Sequence, residues 1–239
     1  MSSTITFASI WFDCDSTLST VEGIDELARA RGPTVFEAVA SLTNRAMAGE
    51  LPLEAVYQRR LDAIAPTRCE CASLAERYIA TALPDARLVL AALRTLGKHV
   101  GIISGGLRSA VLPFAEHLGV PEAFVRAVEI LFATDGSYIG LAADQPLAKS
   151  GGKIDVLRAI PSSQRPLAMC GDGVTDLEAA VATERFVGFG GVVRRDAVAR
   201  HCAHFADGPG LASTLPHLLT AAELTRLAQD PRFAQLIAG

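Results

Sequence analysis

The sequence predicts an α/β fold: a parallel sheet, a helical segment inserted into it, and a small β-hairpin. Three observations predict it. Short apolar runs stopped by Gly or Asp recur at 5–12, 99–103, 167–170, 185–189 and 204–206, with helical stretches between them. Unbroken apolar runs of this length read as strands buried on both faces, the habit of parallel sheets. Some eighty residues without a good strand separate the first two runs, whereas a crossover needs only about a dozen. Finally, Asp135-Gly136 lies between the β-rich runs 130–132 and 138–139, a short-range hairpin signal.

Taken in order, the first run ends at Asp13-Cys14-Asp15. Four helices follow: 22–31, stopped by Gly32-Pro33; 35–48, stopped by Gly49; 53–64, before Pro66; and 68–81, before Pro84. They make a helical domain over 19–81, leaving 1–18 and 82–239 as a Rossmann-like core. Residues 85–96 form the crossover helix into the second strand. The hairpin flap spans 128–141, a helix over 153–160 follows, and a tail helix over 221–238 carries no assigned chemistry.

Composition narrows the function. The 239 residues are 50% hydrophobic and 20% charged, which is globular and large enough to bury a core without metal or disulfide staples. Acids outnumber bases 26 to 22, for a net charge of -4, so no basic excess serves a nucleic acid. A local basic pocket for a small anion remains open. Five cysteines is an odd count, and Cys69 and Cys71 form a CxC with no second pair at zinc spacing. Reduced thiols and a cytoplasmic location are expected. The first residues show no basic region followed by an apolar run, and no stretch reaches the ~20 apolar residues that span a bilayer, so neither leader nor membrane partner is expected.

Chemistry gathers where strands end, the edge at which open α/β sheets bind ligands. Asp13, Asp15, Ser16 and Thr17 follow the first strand. Alternation along an extended strand end lets Asp13 and Asp15 share one mouth; helix capping is the competing reading. Ser104-Gly105-Gly106 reads as an anion nest at a helix start, or as a turn that needs glycine. Ser150-Gly151-Gly152-Lys153 puts a lysine at a helix start. In Gly171-Asp172-Gly173-Val174-Thr175-Asp176, Asp172 follows a strand and Asp176 opens a helix. Two carboxylates ~4 Å apart repel by about 4 kcal/mol at an effective dielectric near 20. Asp13, Asp15, Asp172 and Asp176 in one mouth therefore need a cation or raised pKa values. Lys153 and a hard divalent ion are the available remedies, and Mg²⁺ suits few carboxylates with a phosphate. The set describes phosphoryl transfer. No GxxxxGK[ST] loop and no Ser/His triad is present.

These motifs resemble the haloacid dehalogenase superfamily of aspartate-nucleophile phosphatases, and its phosphoserine phosphatase branch more closely. The stretches are FDCDSTLSTVEGIDELA (12–28), NRAMAGELP (44–52), IISGGLRS (102–109), SGGK (150–153), CGDGVTDLEA (170–179) and FVGFGG (186–191). The resemblance implies Asp13 as nucleophile, forming an aspartyl-phosphate, and Asp15 as general acid then base. It implies Mg²⁺ on Asp13, the Asp15 backbone carbonyl and Asp172, with Asp176 orienting metal waters and Lys153. Ser104, Gly105, Gly106 and Lys153 hold the phosphoryl oxygens. The helical insertion is implied to be a cap over the site. Glu22 then faces the substrate ammonium and Arg60 its carboxylate, with Met47, Thr175 and Arg195 also at substrate positions.

Two positions depart from the family pattern: Leu53 replaces an aromatic, and Ala48 a common glycine. The implied reaction is hydrolysis of O-phospho-L-serine, the last step of serine synthesis, by a monomer or homodimer. Hydrolysis of another small phosphomonoester, transfer of the phosphoryl group to an alcohol, and a catalytically silent binding protein are the rival readings. Cys14 and Cys170 flank the acidic positions; they read first as buried small hydrophobes, with inactivation by oxidation of either as the rival hypothesis.

Overall fold

The computed structural model describes residues 4–237. The core strand β1 (Ser9–Phe12) is wholly buried, with Ile10, Trp11 and Phe12 fully inside. It is shorter than the apolar run because pairing to both neighbours begins only at Ser9. Helices α1 (Gly23–Arg29), α2 (Pro33–Met47), α3 (Leu53–Ile64) and α4 (Arg68–Ala80) follow. Pro33 opens α2 and Gly32 adopts φ +92° before it, as the Gly-Pro pair implies. Thr67 caps α4 in a reciprocal box with Glu70.

Then come α5 (Ala86–Thr95), β2 (His99–Leu107), α6 (Arg108–His117) and β3 (Val125–Val128), the last a strand that sequence reading missed. Its four residues follow a 3-10 turn and include Arg126, too short and broken a pattern to stand out. The hairpin pairs β4 (Ile130–Phe132) with β5 (Tyr138–Leu141) around Asp135-Gly136. Next are α7 (Gly152–Arg158), β6 (Leu167–Gly171), α8 (Val174–Glu178), β7 (Arg185–Phe189), α9 (Asp196–His201) and β8 (Phe205–Ala206). The tail adds α10 (Leu215–Leu218) and α11 (Ala221–Gln229). The expected tail helix to residue 238 stops early, because Pro231 cannot continue it; Ala238 lies outside the described residues.

The six strands of the main sheet lie in the order β3-β2-β1-β6-β7-β8, and every recorded pairing among them is parallel. Counted in chain order without the hairpin, this is the doubly wound 3-2-1-4-5-6 arrangement. The chain leaves and re-enters the core at paired positions: Ser19 bridges Ala82, Thr20 N–H donates to Thr81 O at 3.0 Å, and Leu83 N–H to Leu18 O at 2.9 Å. Between these crossings α4 packs on α6, while α2 touches α8. The N-terminus of α3 is capped from far along the chain. Leu53 N–H donates to Ser150 Oγ and Ser150 N–H to Glu54 Oε2, each at 2.9 Å. Among the described residues no helix is long and apolar enough to cross a membrane.

A buried ion pair fixes the tail. Lys98 Nζ donates to Glu223 Oε1 at 2.6 Å and to Phe7 O at 3.0 Å, while Glu223 also closes a capping box with Thr220. Breaking such a pair from one side strands a buried charge. Lys98→Met is therefore expected to cost about 3 kcal/mol in urea unfolding, and Glu223→Leu added to it should recover much of the loss. A single-variant loss below about 1 kcal/mol would contradict this account.

Candidate active site

Register places the site. Phe12 lies opposite Ile102 on one side and Cys170 on the other. Asp13 is thus the first residue past β1, abreast of the Gly171-Asp172 turn and close to Ser104. The strand order reverses between β1 and β6, which is where doubly wound sheets open a crevice. A cleft lies there, lined by Asp13, Asp15, Glu22, Arg60, Ser104, Gly105, Gly106, Lys153, Asp172 and Thr175. Asp176 is buried and joined to the cleft through Lys153. Arg195 reaches Asp172 and Glu22. The Met47 side chain lies outside the described residues.

Lys153 is 7% exposed, and its Nζ donates to Asp13 Oδ1 at 2.7 Å and to Asp176 Oδ1. Burial alone would lower its pKa, but Asp13 and Asp176 outweigh that and hold the ammonium above its ordinary value. Asp176 does two jobs. Its other oxygen accepts Gly173 N–H at 2.9 Å at the start of α8, so one carboxylate both caps a helix and pairs with the lysine. A Cβ at position 171 would stand 2.3 Å from the Asp176 carboxyl carbon, so only glycine lets that carboxylate come so close. Asp172 accepts Thr17 Oγ1 at 3.2 Å and Arg195 Nε at 2.8 Å. Burial, then Glu22, pushes Asp172 up to about 7, against Arg195. Asp13 is raised well above the carboxylate range, chiefly by burial and then by Asp176.

Carboxylate oxygens of Asp13, Asp172 and Asp176 lie within 4.8 Å of one another, all buried. Hard oxygen donors with unbalanced charge are what a hard divalent cation takes, so this donor set fits a metal site. The Asp15 carboxylate points elsewhere, accepting Tyr78 O–H at 2.5 Å and Gly23 N–H at 3.1 Å. Burial, then Glu22, pushes it up to about 7.

The 104–106 segment departs from the expected helix-start nest. β2 runs on to Leu107 with shifted register between Ile103 and Leu107, and α6 begins only at Arg108. Ser104 Oγ accepts Gly106 N–H at 2.9 Å inside this irregular strand end. Ser16 sits at φ +52°, backbone strain of the kind that gathers at working sites, and donates to Glu22 Oε1 at 2.7 Å.

Both pocket charges are held by side-chain contacts rather than left to solvent. Glu22 makes no cap to its own helix and instead meets Ser16 and Arg195. Arg60 is 4% exposed, donates to Thr43 Oγ1 at 2.8 Å, and its Nε has no hydrogen-bond partner among the described residues. Cys14 and Cys170 are fully buried, and burial pushes both thiols well up. Oxidation follows thiolate character and exposure, so burial favours the small-hydrophobe reading over the oxidation hypothesis.

Sequence reasoning missed four residues. Tyr78 reaches Asp15, and Tyr57 O–H donates to Gly105 O at 2.6 Å. Asp25 accepts Thr43 Oγ1 at 2.5 Å behind Arg60. Both tyrosines lie on apolar helix seams, where a phenol brings a polar tip that needs a partner; that was the available signal.

Burial pushes Asp25 up to about 6, against the hydrogen bond from Thr43. The folded state thus keeps a proton that the unfolded chain releases near 3.8. The resulting stability is present below that value and lost as pH rises towards 6, about 3 kcal/mol in all. Melting temperature should fall less steeply over this window in Asp25→Asn than in the parent. Equal slopes would mean that Asp25 titrates alike in the folded and unfolded states.

Residues 10–180 match the family model for haloacid dehalogenase-like hydrolases. The phosphoserine phosphatase of Homo sapiens is 38% identical over 192 residues, covering 80% of this chain and 84% of that protein. A phosphoserine phosphohydrolase-like protein from Francisella tularensis subsp. tularensis SCHU S4 superposes with a TM-score of 0.78 at 23% identity, covering 92% of this chain and 99% of that one. A phospho-aspartyl intermediate analogue of phosphoserine phosphatase does so at 0.76 and 24%, covering 90% and 100%. These two structures speak to the fold. With the family model covering most of the sheet and all four acidic positions, the chain belongs to the haloacid dehalogenase-like hydrolases.

Proposed function

We propose that this chain hydrolyses a small phosphomonoester, O-phospho-L-serine, through an aspartyl-phosphate on Asp13. The observation that carries the reading is the buried constellation at the sheet's switch point, Asp13 and Asp176 on one lysine with Asp172 alongside. The similarity to phosphoserine phosphatases supports the substrate.

In this mechanism an Asp13 carboxylate oxygen attacks phosphorus, and the bond to the serine oxygen breaks. Asp15 gives its proton to the departing oxygen, then takes one from the water that attacks the aspartyl-phosphate. Lys153 and the Ser104–Gly106 segment hold phosphoryl oxygens as charge builds on them. Asp13, the Asp15 carbonyl and Asp172 would hold Mg²⁺, with Asp176 orienting its waters. When bound, Mg²⁺ neutralises phosphate charge so that one anion can approach another.

Residues 19–81 act as a cap that selects the substrate. Arg60, with an unsatisfied buried Nε, takes the carboxylate, and Glu22 the ammonium. Thr175 and Arg195 complete that wall, and Met47 belongs to it by motif. The same reading has the enzyme working in the cytoplasm, as a monomer or homodimer, on a free metabolite rather than on nucleic acid or membrane.

The test is phosphate release from a panel of phosphomonoesters, both enantiomers of phosphoserine included, with Mg²⁺ and with EDTA. Mg²⁺-dependent turnover favouring the L-enantiomer is expected. Preference for another ester would keep the chemistry and discard the substrate. Asp13→Asn should abolish turnover, and retained activity would remove the nucleophile. Arg60→Ala should raise KM for phosphoserine on the order of a hundredfold, the scale of a lost charged contact, while p-nitrophenyl phosphate changes little. Equal effects on both esters would move the carboxylate site elsewhere.

A further inference from the structure

Asp15 belongs to the loop after β1, and besides the Cys14 thiol of that loop its carboxylate is bonded by groups of the helical insertion. Tyr78 of α4 donates its O–H to Oδ1 at 2.5 Å, and Gly23, the first residue of α1, donates its N–H to Oδ2 at 3.1 Å. Tyr78 is fully buried, and its ring stacks on Phe114 of α6 with centroids 5.5 Å apart and planes 17° from parallel. That stacking fixes where the hydroxyl ends. The fit around it is tight: a Cβ on Gly23 would stand 1.9 Å from the Tyr78 oxygen.

We propose that Tyr78 is a positioning residue for Asp15. Its hydroxyl holds the carboxyl in the orientation that delivers a proton to the leaving oxygen, and it makes that delivery depend on the insertion being packed against the core. The proton delivered is the one on Asp15, and Tyr78 keeps its own. As Asp15 gives up its proton, the bond from Tyr78 becomes charge-assisted and strengthens, so its contribution is greatest when the leaving oxygen needs the proton. This rests on Asp15 being the general acid of the proposed reaction.

Tyr78→Phe deletes the hydroxyl and keeps the stacked ring. kcat/KM reports the first, phosphoryl-transfer half of the reaction. It should be measured with phosphoserine, whose alkoxide needs a proton, and with p-nitrophenyl phosphate, whose phenolate does not. Tyr78→Phe is expected to lose on the order of tenfold on phosphoserine, the scale of one hydrogen bond to a charged group, and less than about twofold on the aryl ester. Gly23→Ala, which crowds the hydroxyl away while keeping it in the protein, should show the same selectivity.

Asp15→Asn is the reference and should show that selectivity more deeply. Equal losses on both esters in Tyr78→Phe, or no loss, with a selective Asp15→Asn, would overturn the role of Tyr78 and leave Asp15 as the acid. An unselective Asp15→Asn would overturn the acid assignment and this proposal with it.

Discussion

The Lys153 ammonium lies between the carboxylates of Asp13 and Asp176, and the crowding of acids at this sheet edge depends on it. Asp13, Asp172 and Asp176 converge because β1 and β6 are neighbours in register and both end in acidic turns. Without a buried cation their repulsion would be felt at an effective dielectric well below that of water. Removing one member of such a group leaves the others buried and unbalanced. The surrounding sequence serves this arrangement: Gly171 lets Asp176 approach, Thr17 and Arg195 hold Asp172, and the 150–153 turn delivers the lysine from the start of α7.

The helical insertion meets the core on several sides of the same cleft. Tyr57 donates to Gly105, Ser150 and α3 cap each other, and Tyr78 bonds Asp15. Glu22 joins through Arg195. Several of the polar contacts that seat the insertion are thus made to the segments that carry the acidic and glycine-rich turns. Packing and chemistry share atoms here, and the position of the insertion is legible at the level of single hydrogen bonds.

Much of this was readable from sequence because it rests on local rules. A Gly or Asp stop after an apolar run marked the ends of β1, β6 and β7, and so Asp13 and Asp172. Asp135-Gly136 marked the hairpin. The unread parts depend on tertiary position. β3 has four residues and takes its identity from pairing with β2. The bulged end of β2 moved Ser104 off the helix start. The burial of Arg60 depends on α3 turning that face towards Thr43 and Asp25. Tyr78 looked like one more seam residue, since nothing in a single helix reveals what its hydroxyl meets.

The chain enters and leaves the helical insertion through Ser19 and Ala82, which face each other across a bridge. A turn of two or three residues could join those points, so in covalent terms the insertion is a graft on a closed loop. Its removal or exchange would leave the threading of the sheet untouched. A lineage, or an engineer, can therefore replace the helical insertion wholesale and keep the acidic sheet edge. The graft carries one obligation: because Asp15 takes a phenol O–H and a backbone N–H from the insertion, a replacement must bring its own donors to that carboxylate.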